Sequence, residues 1–200
     1  MKYNFIEIGT SDFRTLAADE TKTGISIEPV KAYFNNLPER EGLIKVNAAV
    51  SDEAGIGKMY FCKPEFIDAL RLPQWLKGCN SLNKEHPSVR KYCEENGIQF
   101  RDLVSEDVCP LVTLKSIFEE HEVKEVDFLK IDTEGHDSII MKSLLKMKTI
   151  PKIHRIQFES NELTSREDLI EILKLGLDKG YSHHNVISRG NQDTILNLNH

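Results

Sequence analysis

Apolar residues come in short continuous runs separated by stretches of helical spacing, a pattern that predicts strands feeding into helices. Asn4 to Ile8 reads as a strand ending at Gly9, and Ile25-Ser26-Ile27-Glu28 as a second, closed by Pro29. Val30, Tyr33, Phe34 and Leu37 then recur at helical spacing until Pro38. Leu43 to Val50 reads as a third strand before the turn residues Ser51, Asp52 and Gly55, and Met59-Tyr60-Phe61 as a short fourth. Between about residues 62 and 110 the regular pattern lapses. Pro64, Pro73, Pro87 and the only tryptophan, Trp75, fall there in a stretch too long for a plain loop. Its aromatic and aliphatic residues predict an ordered insertion.

Regularity returns with a helix over Leu114 to His121 and a strand over Val126 to Ile131. A helix over Ser138 to Met147 follows, with Ile139, Ile140, Leu144 and Leu145 on one face. Ile153 to Phe158 reads as a strand, and Arg166 to Lys179 as an amphipathic helix closed by Gly180. Tyr181 to Leu198 reads as an antiparallel hairpin around Arg189-Gly190-Asn191-Gln192. Such alternation predicts an α/β fold, a mostly parallel sheet in three layers with a terminal hairpin. The 200 residues fit one domain, 1–200, with 62–108 as an insertion.

The strand at Val126 to Ile131 breaks into Asp132-Thr133-Glu134-Gly135-His136-Asp137. Open α/β sheets bind ligands beyond the carboxyl ends of their strands, so mixed acid–base groups gathered there suggest a site. The plainer alternative is a solvated turn in which Asp132 or Thr133 caps the next helix.

A second clue is Glu28, twenty-one residues after Glu7 at the end of the first strand. An acid at the end of the second strand suits ribose hydroxyls. The loop between them, Gly9-Thr10-Ser11-Asp12-Phe13, has one glycine, where a dinucleotide pyrophosphate needs three for close backbone approach. That favours S-adenosylmethionine, which has a ribose and adenine but no phosphate, over NAD or FAD. Its cationic sulfonium also suits carboxylates such as Glu7 and Asp132. The plainer role for Glu28 is at the N-terminus of the helix after Pro29.

A net charge of −6 weighs against nucleic acid as a partner, and 40% hydrophobic with 29% charged residues is a globular balance. No run is long enough to span a bilayer, and no secretory signal precedes the first strand. Cys62, Cys79, Cys93 and Cys109 show no zinc-type spacing and read as reduced thiols of a cytoplasmic protein.

Taken together, several segments resemble FkbM-type methyltransferases: Gly9, Ile27-Glu28-Pro29, Asn47-Ala48-Ala49-Val50-Ser51-Asp52, Val112-Thr113-Leu114, Phe128 to Gly135, and Gln157-Phe158-Glu159. The resemblance covers most of the chain outside the insertion, and Lys130-Ile131-Asp132 with Glu134-Gly135 is its specific part. It implies a Rossmann-like class I methyltransferase fold with a seven-stranded sheet and S-adenosylmethionine as donor. It also implies a hydroxyl acceptor on a sugar, glycan or glycosylated metabolite, with a glycosyltransferase fused to the chain or acting beside it. Carried over by position, Gly9 and Ser11 would lie against the methionine part of the donor, Glu28 on the ribose, Ser51 and Asp52 beside adenine, and Asp132 near the methyl. Glu134, Gly135 and Glu159 would shape the acceptor side or hold the strand-end geometry.

Two departures from the family stand out: the degraded glycine loop, and a chain that begins at its first strand. The second is expected of either a minimal enzyme or a domain cut from a longer polypeptide. Asp132 and His136 are the candidate bases for the acceptor proton. In the insertion Trp75, Asn80, Ser81 and His86 are candidate acceptor contacts; core filling is the plainer use of Trp75. A divalent metal on Asp132, Glu159 and Asp137 is a variant set second to plain hydrogen bonding. The rival readings are an NAD-linked oxidoreductase and a non-catalytic binding module on the same sheet.

Overall fold

The computed structural model describes residues 1–11, 13, 15–188 and 191–199. Asp12 of the first loop, Arg189-Gly190 of the expected turn and His200 lie outside the described residues. The first half of the chain contains β1 (Lys2–Ile8), β2 (Gly24–Ile27), α1 (Lys31–Asn36), β3 (Leu43–Val46), β4 (Ala49–Ser51) and β5 (Gly55–Cys62). The insertion holds α2 (Pro64–Ala69), α3 (Pro87–Asn96) and α4 (Phe100–Leu103), and leads into β6 (Val104–Thr113). Then come α5 (Leu114–Glu120), β7 (Glu125–Ile131), α6 (Asp137–Lys146), β8 (Lys152–Glu159), α7 (Arg166–Asp178), β9 (Tyr181–Ser188) and β10 (Asn191–Leu198).

The main sheet has seven strands in the order β3-β2-β1-β7-β8-β10-β9. Its neighbours are parallel except at β10, which runs against both β8 and β9. The expected mostly parallel sheet with a terminal antiparallel pair is therefore present. Parallel strands buried on both faces need near-continuous apolar sequence, which Phe5, Ile6 and Ile8 supply in β1 and Val126, Leu129 and Ile131 in β7. All of these but Phe5, which packs with Ala17 and Leu37 on its own, join Ile140, Met141, Leu144 and Leu145 of α6 and Ile172 of α7 in the main core. The apolar face of α6 thus uses Met141 where the spacing suggested Ile139, which is only half-buried.

Local chemistry fixes the helix ends. Thr113 and Ser116 exchange hydrogen bonds in a capping box at α5, and Ser165 accepts from the Asp168 N–H at α7. α3 begins at Pro87 and ends at Gly97 with φ +66°, the usual pairing of a proline start with a left-handed stop.

Two sequence expectations are corrected. The single strand expected over Leu43 to Val50 is two, β3 in the main sheet and β4 in a second sheet of order β4-β6-β5. Asn47 makes the break, because its Nδ2 donates to the carbonyls of Glu28 (2.8 Å) and Pro29 (3.1 Å) and turns the chain away. The lapse between residues 62 and 110 also proves regular. Its helices enclose a core of their own from Cys62, Ile67, Leu76, Val89, Cys93 and Leu103, and the ten-residue β6 pairs antiparallel with all of β5. All four cysteines are buried and free. Among the described residues no helix is long and apolar enough to cross a membrane.

What places the site is the register at the carboxyl edge. Ile8 pairs with Ile27 and Ile131, and Ile131 with Phe158. The next residues, Gly9, Glu28, Asp132 and Glu159, therefore follow in one line across four strands. β1 lies between β2 and β7, so this line crosses the point where the winding of the sheet reverses. Gly9, with φ +79°, is held so close to β7 that an added Cβ would lie 1.8 Å from the Asp132 carbonyl oxygen. Gly9→Ala is expected to cost about 3 kcal/mol or more, or to prevent folding. Gly55→Ala, whose Cβ would meet nothing within 4 Å, should shift stability by less than about 0.5 kcal/mol. Denaturation followed by circular dichroism compares the two, and equal costs would refute the close contact.

Candidate functional site

The loop after β1 is organised by one buried carboxylate. Glu28 Oε2 accepts from the Thr10 N–H (2.9 Å), the Thr10 hydroxyl (3.1 Å) and the Ser11 N–H (2.8 Å), while Oε1 accepts from the Val30 N–H (2.8 Å). Burial pushes its pKa up, and the bonds from Ser11, Val30 and Thr10 oppose that. Ser11, at φ +50°, donates to the Lys77 carbonyl (2.6 Å) and ties the loop to the insertion. Glu28 thus serves both the loop and the start of α1, and Oε1 keeps one lone-pair direction open.

A cavity of about 220 Å³ opens between this loop and the end of β7. Gly9, Ser11, Glu28, Asp132, Glu134, His136 and Asn80 are on its wall, with Pro29, Ala48, Ala49, Val50, Met59 and Leu82 as an apolar side. Glu7 is not on that wall. It lies buried beneath, its Oε2 accepting from the Leu16 N–H (2.9 Å) and its Oε1 3.6 Å from Lys130 Nζ. Lys130 also reaches Asp132 Oδ2 at 3.2 Å. Burial alone would depress the ammonium, but Asp132 and Glu7 outweigh it and hold its pKa up.

Asp137 braces the turn after β7. Its Oδ2 accepts from the Thr133 hydroxyl (2.6 Å) and N–H (3.2 Å), and its Oδ1 from the Glu159 N–H (3.2 Å). Burial raises its pKa to about 6, against the pull of the Thr133 bond. The insertion grips the same turn from outside. Ser81 Oγ donates to the Glu134 carbonyl (2.7 Å), Asn83 Nδ2 to the Gly135 carbonyl (3.2 Å), and His86 Nε2 lies 2.9 Å from Glu134 Oε2. Ser81 is on the wall of neither large cavity and acts on the turn instead.

His136 is held from the far side by the residues that follow Val50. Ser51 Oγ donates to Asp52 Oδ1 (3.0 Å) and lies 3.0 Å from His136 Nε2. A hydroxyl has one proton, and here it goes to the carboxylate, so His136 must donate from Nε2 and keep its lone pair on Nδ1. Burial lowers the His136 pKa, with the Asp52 charge opposing, and the imidazole is neutral near pH 7. Ser51 and Asp52 are therefore engaged with His136 rather than lining the cavity, where Ala48, Ala49 and Val50 stand in their place.

Next to the first cavity is a larger one of about 600 Å³. Phe13, Gly78 and Glu134 line both, and an added Cβ on Gly78 would come within 2.8 Å of the Phe13 ring. Trp75, 43% exposed, His86 and Glu159 are on its wall with Ser160, Asn161 and Gln192. Trp75 packs edge-on against Tyr92, with ring centroids 5.8 Å apart. Of the candidate acceptor contacts, Trp75, His86, Glu134 and Glu159 gather here, whereas Asn80 faces the smaller cavity. Sequence reasoning did not pick out Phe13 as a wall between two cavities, nor Asn161 and Gln192; the residues just past β8 were the available signal.

One carboxylate oxygen each from Asp132, Glu134 and Glu159 lie within 4.8 Å of one another, a spacing that could hold a cation. Asp137, expected in such a set, is occupied by its brace. Burial, then the charges of Glu134, Asp132, Asp137 and Asp193, push Glu159 up to about 9. A second group, Glu125, Asp127 and His154, lies at the opposite edge and is paired with Lys2 (2.8 and 2.9 Å).

A seven-stranded sheet with one antiparallel strand and a cavity at its switch point defines a Rossmann-like α/β enzyme fold. The methyltransferase FkbM domain matches residues 5–187, and the chain belongs to that methyltransferase family. Comparison with curated proteins and with solved structures gives no significant match.

The His136 geometry sets a pH signature. A depressed folded-state pKa means that the stabilisation from neutral His136 is full above the ordinary value of 6.5 and is lost as pH falls toward the folded value. NMR titration should place the midpoint below 6.5, and Asp52→Asn should lower it further by removing the charge that favours imidazolium. A midpoint at or above 6.5 would exclude the buried neutral ring.

Proposed function

We propose that this methyltransferase takes S-adenosylmethionine in the smaller cavity and methylates a hydroxyl of a sugar, glycan or glycosylated metabolite held in the larger one. The observation that carries the reading is the pair of adjoining cavities at the switch point, sharing Glu134 and with Asp132 and His136 on the donor side. The chemistry of the smaller cavity fits that donor. Among its described lining residues Lys130 is the only ammonium or guanidinium, and it is already paired with Glu7 and Asp132. Among its described residues the cavity-lining part of the loop after β1 offers a diphosphate no cationic side chain, and the Glu28 carboxylate beside it repels phosphate but accepts from ribose hydroxyls. The same feature disfavours a nicotinamide dinucleotide.

When bound, the donor supplies a methyl group made electrophilic by positively charged sulfur. Everything else falls to the protein. Glu28 offers its open lone pair to the ribose, and the apolar side from Pro29 to Leu82 accepts the adenine face. Asp132, kept in place by its bond to Lys130, would stand where the methyl group passes from donor to acceptor. Glu134, on the wall of both cavities, would turn the acceptor oxygen toward the donor's methyl group, and alignment would supply most of the rate. Its proton passes to His136 Nδ1, the free nitrogen of a ring fixed through Ser51 and Asp52.

Acceptor chemistry is read from the larger cavity. An exposed indole beside Ser160, Asn161, Glu162 and Gln192 suits a polyol, whose C–H face stacks on Trp75 while its hydroxyls meet amides and carboxylates. Calorimetry should detect binding of the donor and of its demethylated product to the wild-type protein, and no binding by folded protein would refute the reading. Asp132→Asn should lower turnover by about a hundredfold or more with the fold intact. Trp75→Ala should raise KM for a sugar acceptor by about tenfold while changing kcat little. Full activity in Asp132→Asn would remove that residue from the mechanism.

A further inference from the structure

At the boundary between the two cavities, three carboxylates converge without enough donors to satisfy them. Asp132 ends β7, Glu134 follows in a left-handed turn at φ +51°, and Glu159 ends β8. Asp132 gives Oδ2 to Lys130 and Glu134 gives Oε2 to His86, which leaves each with a second oxygen to offer. Glu159 is less satisfied still. It is only 7% exposed, and its Oε2 is fully buried with no hydrogen-bond partner. A buried carboxylate in that state is costly unless a proton or a cation meets it.

We propose that Asp132, Glu134 and Glu159 form a binding site for a hard divalent cation of the magnesium or manganese type. Three carboxylate oxygens within 4.8 Å of one another are a hard, all-oxygen set. Three protein ligands leave further positions for water or a substrate oxygen. The placement agrees with that, since Asp132 lines the smaller cavity, Glu159 the larger and Glu134 both. Lys130 and His86 each hold one oxygen of the set, Oδ2 of Asp132 and Oε2 of Glu134, and fix how those two carboxylates are turned. On the methyl-transfer reading, on which this role rests, a hydroxyl bound to the cation loses its proton to His136 more readily. Cation binding itself does not depend on that reading.

The test is titration of the full chain with Mn²⁺, followed by electron paramagnetic resonance of the free ion. Tight binding at a single site is expected, with Glu159→Gln and Glu134→Gln each weakening it by about tenfold or more. Glu125→Gln, in the acidic group at the opposite edge, should leave it unchanged. Glu134 is half-exposed, so its variant keeps the test sound if Glu159→Gln misfolds by circular dichroism. No binding at millimolar Mn²⁺, or binding lost in Glu125→Gln and kept in Glu134→Gln, overturns the site. Calorimetry of the donor in the presence of a chelator separates the two proposals. Donor binding without Mn²⁺ binding defeats the cation site alone, and Mn²⁺ binding without donor binding defeats the donor reading alone.

Discussion

The contact on which the rest depends is the approach of Gly9 to the carbonyl of Asp132. Two adjacent parallel strands reach their carboxyl ends there and part, β1 toward β2 and β7 toward β8. Because no side chain separates them, the loop after β1 and the turn after β7 become opposite walls of one cleft. Glu28 then secures the first wall by collecting the amides of Thr10, Ser11 and Val30, and Asp137 secures the second by collecting Thr133 and the Glu159 N–H. Two buried acids thus act as backbone clamps. The acids left over, with fewer partners, face the cavities.

That division accounts for the electrostatics of the carboxyl edge. Glu7 and Asp137 are closed off by hydrogen bonds or by Lys130, and Glu28 by four hydrogen bonds that leave it one open lone pair. Asp132, Glu134 and Glu159 are answered only in part, and the deficit falls where donor and acceptor would meet. Burial and then the neighbouring carboxylates push the Glu159 pKa up to about 9, so the crowding at this edge falls most heavily on that side chain.

Much of this was legible in the sequence, for a definite reason. Strands buried on both faces must be written as apolar runs, so their ends, and with them Gly9, Glu28, Asp132 and Glu159, could be read off one residue at a time. What escaped depended on side chains meeting across long separations. The break between β3 and β4 is made by Asn47 reaching back to Glu28 and Pro29, which leaves no periodic trace. β6 was hidden because Pro110 and the exposed Glu106 and Asp107 speak against a strand until β5 pairs with it. Ser51 and Asp52 could be seen as a loop but not as the holder of His136, which lies 85 positions on. Nor could any local pattern show that Phe13 and Gly78 would meet between two cavities.

The insertion encloses its own apolar core, holds the turn at Glu134 through Ser81, Asn83 and His86 and the loop after β1 through the Lys77 carbonyl, and lends Gly78, Asn80 and Leu82 to the smaller cavity. The wall bearing Trp75 therefore rests on a different apolar core from the wall bearing Glu28. Drift in the residues around Trp75 is absorbed within that small core, leaving the sheet and its strand ends undisturbed. On the proposed assignment of the two cavities, changes around Trp75 would alter the acceptor while Glu28 and the strand ends kept their places.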